Sequence, residues 1–134
     1  MDFTFKQIED DKEWDNYVFT MPKYSFLNSS ARYSYNKNIG VETFRYAIFK
    51  KDELKGIVTG NIGNSKLFGK FLECKHSPML LDGTKEEWLE VTDFLKNLAK
   101  ENNCFMLRFS PLLTENELLA EFYEENGFVK APTH

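Results

Sequence analysis

Arg32, Tyr33 and Tyr35 lie close together in the sequence and carry side chains that could contact a ligand. A guanidinium plane and aromatic rings stack well on planar groups and on one another, so this segment could line a groove. The alternating spacing of the two tyrosines favours one of them in the core. We therefore consider Arg32 and Tyr35 candidate ligand contacts, with packing as the alternative for either tyrosine.

Few residues suit nucleophilic or metal chemistry. Cys74 and Cys104 lie 30 positions apart with no CxxC motif and no paired histidines, which argues against a zinc site. A cysteine nucleophile needs a nearby base, and the two histidines, His76 and the last residue His134, offer little. No Ser/His/Asp arrangement or pair of catalytic carboxylates is defined by spacing. We expect two buried, reduced cysteines and no metal.

The composition is that of one soluble globular domain. The 134 residues are 42% hydrophobic and include thirteen phenylalanines, which excludes intrinsic disorder. A net charge of −4 and a pI near 5.3 argue against a protein that coats duplex DNA. No apolar run reaches the roughly 20 residues that span a bilayer, and the N-terminus lacks a signal-peptide pattern. These features predict a cytoplasmic protein without a transmembrane segment.

Alternation and capping signals define the first elements. Phe3–Ile8 alternates apolar and polar residues, as in a half-buried strand. Asp10 should begin a short helix that Pro22 ends. A second short helix is predicted from Ser29 or Ser30 to about Asn38, with Gly40 as its stop.

The middle of the sequence has a period of two. Thr43–Phe49 and Gly56–Gly60 are predicted to pair as an antiparallel hairpin, joined by a polar turn at Lys50–Lys55. A further strand is expected at Lys70–Lys75, after a turn at Gly63–Ser65.

The last third alternates helix and strand. The capping box Thr84-x-x-Glu87 begins the strongest helix, and Cys104–Phe109 reads as a central strand covered on both faces. A last helix from Thr114 and a last strand from Phe128 follow. The whole order predicts an α/β fold with a mixed, largely antiparallel sheet flanked by helices, which resembles the acetyltransferase-like (GNAT) fold.

Members of that fold that use acetyl-coenzyme A hold its pyrophosphate on a Gly-rich turn at a helix start. The corresponding junctions, His76–Thr84 and Ser110–Thr114, contain no Gly-rich turn. Coenzyme A binding is therefore disfavoured, and we expect no cofactor.

Several segments resemble, in order, those of the Fem family, the tRNA-dependent aminoacyltransferases that build peptidoglycan cross-bridges. Phe26-Leu27-Asn28-Ser29 stands where the family has F-L-Q-S, and Phe44–Phe49 where it has V-Y-R-L-G-V-F. The similarity extends to about Pro132 without large gaps. The later matching segments are Cys74–Asp82, Phe105–Pro111 and Gly127–Pro132.

The resemblance implies that residues 1–134 form a single domain, the first of the family's two acetyltransferase-like subdomains. This subdomain helps to bind the acceptor, a peptidoglycan precursor with a pentapeptide stem that is nucleotide-linked or lipid-linked. The aminoacyl-tRNA donor would engage a second subdomain, so the isolated chain should be inactive. The implied location is the cytoplasm, with the inner membrane surface as a further possibility.

The resemblance also assigns three residues. Lys37 matches a lysine that contacts the precursor's phosphates, a role that suits an ammonium group. His76 stands where the family has Arg or Lys, and Arg108 matches the arginine of an L-R-x-D-P motif in which Ser110 replaces the aspartate. The structural alternatives are a solvated lysine, a turn histidine and a buried ion pair for Arg108.

The sequence is also compatible with two other functions. Thirteen phenylalanines in such a short chain predict an apolar face, which favours a non-catalytic binding module that forms a homodimer. A free-standing acetyltransferase that holds coenzyme A by an unusual loop is the third reading.

Overall fold

The computed structural model describes residues 3–67, 69–81 and 83–110. These residues form a sheet of six strands with helices on both faces. The elements in chain order are β1 (Thr4–Gln7), α1 (Asp11–Thr20), a 3₁₀ turn (Phe26–Asn28), α2 (Ser30–Asn38), β2 (Glu42–Lys50), β3 (Glu53–Ser65), β4 (Gly69–Lys75), β5 (Met79–Leu80), α3 (Lys85–Glu101) and β6 (Cys104–Ser110).

The sheet is mixed, as the sequence predicts. Its strand order is β1-β2-β3-β4-β6, and the short strand β5 pairs with β3. All pairs are antiparallel except β4 with β6, which is parallel. The fold class is therefore confirmed. The predicted helix from Thr114 and strand from Phe128 lie outside the described residues.

Alternate residues of the strands enter two separate cores. On one face Val58 and Leu72 pack against Val91 and Leu95 of α3. On the other face Ala47 and Ile57 pack with residues of α1, among them the fully buried Trp14. Side chains alternate along a strand, so polar residues an even number of positions from Ala47 on β2 or from Ile57 on β3 also face α1 and α2.

The helices begin where the capping signals predict. The Asp10 carboxylate accepts the Glu13 N–H at 2.8 Å, and the Thr84 hydroxyl accepts the Glu87 N–H at 3.1 Å. Ser29 caps α2 by accepting the Arg32 N–H at 3.2 Å. Each cap satisfies an amide that would otherwise lack an intrahelical acceptor.

The two predicted turns around β3 are wrong in extent or position. The β2–β3 turn contains only Lys51 and Asp52, both with positive φ, so the strands are longer than expected. Gly63–Ser65 is not a turn but the end of β3, where Gly63 pairs with Phe71 of β4. A Cβ at Gly63 would collide with the Phe71 ring, so this glycine serves close packing within a strand.

Cys104–Phe109 is a strand, but its predicted coverage on both faces is wrong. Phe105 and Met106 are 51% and 40% exposed. Phe105 also interrupts the register of β6 on β4, because Lys70 pairs with Cys104 while Phe71 pairs with Met106. An inserted residue of this kind leaves the ladder and bends its strand.

Candidate functional site

A cleft of about 160 Å³ lies between α2 and the sheet. Its wall is α2, and its floor comes from β2, β3 and β4. The lining mixes hydroxyl, amide, charged and apolar groups: Leu27, Ser29, Arg32, Tyr33, Asn36, Ile39, Val41, Thr43, Phe44, Thr59, Gly60, Asn61, Glu73 and Lys75.

Hydrogen bonds from α1 fix α2 over the sheet. The Asp15 carboxylate accepts the Ser30 N–H at 2.9 Å and the Ser30 hydroxyl at 2.6 Å. The buried indole Nε1 of Trp14 donates to the carbonyl of Asn28 at 2.8 Å. These bonds hold the first turn of α2, and therefore the cleft wall, in place.

The structure separates the two candidates Arg32 and Tyr35. Arg32 lines the cleft, whereas Tyr35 is 53% exposed and does not. The Arg32 guanidinium lies 5.3 Å from the centre of the Tyr35 ring, so the tyrosine contacts it from the outer side of the helix. A ligand in the cleft would meet Arg32 directly and Tyr35 only through Arg32.

Lys37 is connected to the cleft only indirectly, through its contact with the ring of Tyr33. The lysine is exposed and does not line the cleft, but its Nζ lies 4.9 Å from the centre of the Tyr33 ring, which does. The Arg45 guanidinium lies 4.1 Å from the same ring. Tyr33, rather than Tyr35, is therefore the tyrosine that packs inward, and its ring contacts two cations.

Arg45 is a buried cation that sequence reasoning did not single out. It is 1% exposed, and its Nε donates to the Ile8 carbonyl at 2.7 Å. Its Nη2 donates to the Glu9 carbonyl at 2.9 Å and to the Asp11 carboxylate at 2.8 Å. Its Nη1 has no hydrogen-bond partner among the described residues. The only sequence signal was an arginine at an inward position of an alternating strand.

The floor of the cleft carries both signs of charge. Glu73 and Lys75 lie two residues apart on one face of β4, with their charged atoms 3.7 Å apart. The parallel register pairs Arg108 of β6 with Glu73, and this places the half-buried arginine on the same face. Glu73 and Lys75 were not predicted as site residues, because no spacing in the sequence shows that β4 runs beneath α2.

His76 lies beside the cleft and not in it. It follows the cleft residue Lys75, and its Nδ1 lies 2.7 Å from the Ser25 hydroxyl oxygen. Its N–H donates to the Ser110 hydroxyl at 3.3 Å, and its carbonyl accepts from Asn28 Nδ2 at 3.1 Å. The sequence placed Ser25 and His76 51 positions apart with nothing to indicate contact.

The two cysteines differ in burial. Cys74 is fully buried, as predicted, and burial raises the pKa of its thiol. Cys104 is only partly buried, which corrects the prediction of two buried cysteines. Burial raises its pKa too.

Two features are absent from residues 3–67, 69–81 and 83–110. There is no cluster of three or more metal-ligating side chains. No helix is both long and apolar enough to cross a membrane.

Solved structures of two acetyltransferases have a similar arrangement. A probable acetyltransferase superimposes with a TM-score of 0.66 at 17% identity, covering 98% of this chain and 92% of that one. Glucosamine-6-phosphate N-acetyltransferase from Arabidopsis thaliana gives 0.66 at 15% identity, covering 100% and 96%. The chain thus has the α/β GNAT-like fold.

The comparisons also assign the chain to a family, which is a more specific statement than its fold. The structure of FemX superimposes with a TM-score of 0.78 at 17% identity over 95% of this chain. The FemAB family model matches residues 10–127, and the chain belongs to the FemAB family. It spans only 32% of the FemX chain. No curated protein sequence matches it.

Proposed function

We propose that the chain is the acceptor-binding N-terminal subdomain of a tRNA-dependent aminoacyltransferase. The acceptor would be the stem peptide of a nucleotide- or lipid-linked peptidoglycan precursor, so the reaction would serve cell-wall cross-bridge synthesis. The observation that carries the proposal is the cleft beneath α2 in a chain that belongs to the FemAB family. The superposition of 95% of this chain on 32% of FemX supports the proposal that these residues correspond to one subdomain.

The charges of the cleft suit both the phosphates and the stem peptide of such an acceptor. Arg32 and Lys75 line it, and the Nζ of Lys37 lies above the ring of Tyr33. Guanidinium and ammonium groups bind phosphates well. Glu73 supplies one carboxylate on the floor, which can accept a hydrogen bond from the amine of the stem lysine. Arg108 lies next to Glu73 and extends this polar face.

Transfer itself would require a second subdomain. The nucleophile would be the stem lysine's amine, the bond broken would be the aminoacyl ester, and the tRNA would leave. We expect the chain alone to bind the acceptor without catalysing transfer. The site of action would be the cytoplasm or, for a lipid-linked precursor, the inner membrane surface.

Calorimetric titration with a nucleotide-linked muropeptide pentapeptide tests the proposal. Arg32→Gln and Lys37→Gln should each weaken binding about tenfold or more, since a charge-assisted hydrogen bond contributes roughly 1.5–3 kcal/mol and about 1.4 kcal/mol is tenfold. Lys12→Gln removes an exposed lysine on α1 and is the charge-matched control. Binding should also weaken with added salt. Absence of binding to any muropeptide, by the chain alone or joined to a second subdomain, would overturn the proposal.

A free-standing acetyltransferase is the second candidate. It is favoured by the nearly full-length coverage, 92% and 96%, of two single acetyltransferase structures. The start of α3 argues against it, because the amides there are already bonded within the chain. The Thr84 N–H donates to Glu87 at 3.0 Å and the Glu87 N–H donates to Thr84 at 3.1 Å, so neither is free to hold a pyrophosphate. A thermal shift with acetyl-coenzyme A would support this candidate. A ligand at 100-fold its dissociation constant adds about 2.7 kcal/mol of stability.

A dimerising module is the third candidate. Phe19 and Phe26 are each 63% exposed, and the Phe19 ring lies 5.5 Å from that of Tyr24. Sedimentation velocity at rising concentration tests it, and a monomer throughout would contradict it.

A further inference from the structure

We propose that Ser25 and His76 form a nucleophile and base pair that accepts an acyl group from small oxygen esters. The proposal concerns residues outside the cleft, and it does not depend on the acceptor-binding function. It can therefore be tested on the isolated chain.

The hydrogen bonds around Ser25 direct its hydroxyl proton to His76. The Leu27 N–H donates to the Ser25 oxygen at 3.2 Å, so in that bond the oxygen is an acceptor. Among the described residues, the only acceptor bonded to the hydroxyl is His76 Nδ1, at 2.7 Å. This assignment has the imidazole proton on Nε2. A hydroxyl within hydrogen-bond distance of an imidazole nitrogen is the arrangement that activates a serine nucleophile.

The buried side chain of Asn28 positions both partners. Its Oδ1 accepts the Ser25 N–H at 2.9 Å, and its Nδ2 donates to the His76 carbonyl at 3.1 Å. One fully buried amide thus holds the backbones of the nucleophile and the base. The Ser110 hydroxyl accepts the His76 N–H and fixes the histidine from the opposite side.

The backbone of His76 is itself unusual. Its φ is +54°, in the left-handed region that only a few per cent of non-glycine residues adopt. Such conformations concentrate at functional sites, where they position a side chain. Here the conformation turns the chain directly after β4, so that the imidazole meets Ser25.

The pair lies where ligands bind in many α/β proteins. Lys75 and Ser110 pair at the carboxyl ends of the parallel strands β4 and β6, and His76 directly follows Lys75. Ligands in such sheets bind beyond the carboxyl ends of parallel strands. Ser25 and His76 are both partly exposed, so a small ester can reach them.

The proposed step balances within the pair and the ester. The Ser25 oxygen attacks the ester carbonyl while its proton moves to His76 Nδ1. The bond from carbon to the leaving oxygen then breaks, and the leaving oxygen takes its electron pair and the proton from Nδ1. Water reverses the sequence: its oxygen bonds to the carbonyl carbon, the bond to Ser25 breaks, and Ser25 regains a proton. The net reaction is hydrolysis of the ester.

Incubation with a fluorophosphonate, followed by peptide mass spectrometry, tests the proposal, and release of p-nitrophenol from p-nitrophenyl acetate measures the rate of acylation. The expected result is an adduct on the peptide that contains Ser25. Ser25→Asn keeps an oxygen that can cap the 3₁₀ turn but should abolish the adduct. His76→Asn tolerates the left-handed φ and should slow acylation about 10²-fold or more, the usual cost of losing a general base. Ser34→Ala, at a serine that has no histidine partner among the described residues, should not change the rate.

Circular dichroism must show that each variant is folded. A folded wild-type chain with no adduct on Ser25, or with adducts only on lysines or tyrosines, would overturn the proposal. Equal rates for wild type and a folded His76→Asn would also overturn it, because the histidine would then not act as the base. Muropeptide binding is measured separately, so a negative result here would leave the acceptor-binding proposal standing.

Discussion

Asn28 donates its Nδ2 hydrogen to the carbonyl of His76 at 3.1 Å, across 48 positions of the sequence. The same amide accepts the Ser25 N–H and donates to the Thr59 hydroxyl at 3.2 Å. The turn before α2, the strand β3 and the loop after β4 are thus joined through one buried side chain.

Asn28→Ala should lower the free energy of unfolding by about 3 kcal/mol. The substitution leaves the Ser25 N–H, the His76 carbonyl and the Thr59 hydroxyl without this partner. Each bond is only partly buried, so each loss should lie near the lower end of the roughly 1–3 kcal/mol that an unsatisfied buried group costs. Urea denaturation measures the loss. The matched control is Asn38→Ala, at an exposed asparagine near the end of α2, which should change stability by less than about 0.5 kcal/mol. Equal effects of the two substitutions would contradict the role of Asn28 in joining these three segments.

Arg45→Ala should destabilise the chain more than Asp11→Asn. Arg45 is buried and donates to two carbonyls as well as to Asp11. Its removal leaves these carbonyls without this donor and opens a cavity beside the rings of Trp14 and Tyr33, so it should cost about 3–5 kcal/mol. The Asp11 side chain is 60% exposed, so solvent screens it, and its loss should cost about 1 kcal/mol or less. Thermal or urea unfolding of both variants checks the order, and a larger loss for Asp11→Asn would show that the carboxylate holds the arginine.

Gly60→Ala should cost about 1–3 kcal/mol by overpacking. A Cβ at this position would lie 2.5 Å from Phe44 Cζ and 2.9 Å from Cys74 Sγ. Adding Phe44→Leu should recover part of the loss, since contacting positions couple. A stable Gly60→Ala variant with unchanged unfolding would show that the core between the sheet and α3 adjusts to the added methyl group.

Native labelling with iodoacetamide should modify Cys104 and spare Cys74. Cys74 is fully buried, whereas Cys104 is partly exposed. Burial raises the pKa of Cys104, so at about pH 8 less of it is thiolate than of free cysteine, and labelling should be slower and rise with pH. Mass spectrometry locates the adduct. Cys104→Ser should abolish native labelling, and both cysteines should react in urea. Labelling of Cys74 first would contradict the structure.

Local patterns predicted most of the fold. Asp10, Ser29 and Thr84 each begin a helix because their side chains satisfy amides within three residues, and such interactions can be read from spacing. Gly63 was misread as part of a turn because a glycine that makes room for a distant ring looks the same in sequence as one that allows a positive φ. The pairing of Gly63 with Phe71 on β4, and not the turn propensity of glycine, determined the conformation at that position.

The sequence by itself determined the helix starts, the position of most strands and the α/β class, because these depend on neighbours along the chain. Only the tertiary structure decided which polar residues meet. It brought Glu73 and Lys75 beneath Arg32, enclosed Arg45 between two aromatic rings and joined Ser25 to His76 through Asn28. Contacts across 48 or 51 positions depend on strand register and on how helices pack over the sheet, and no local pattern encodes either.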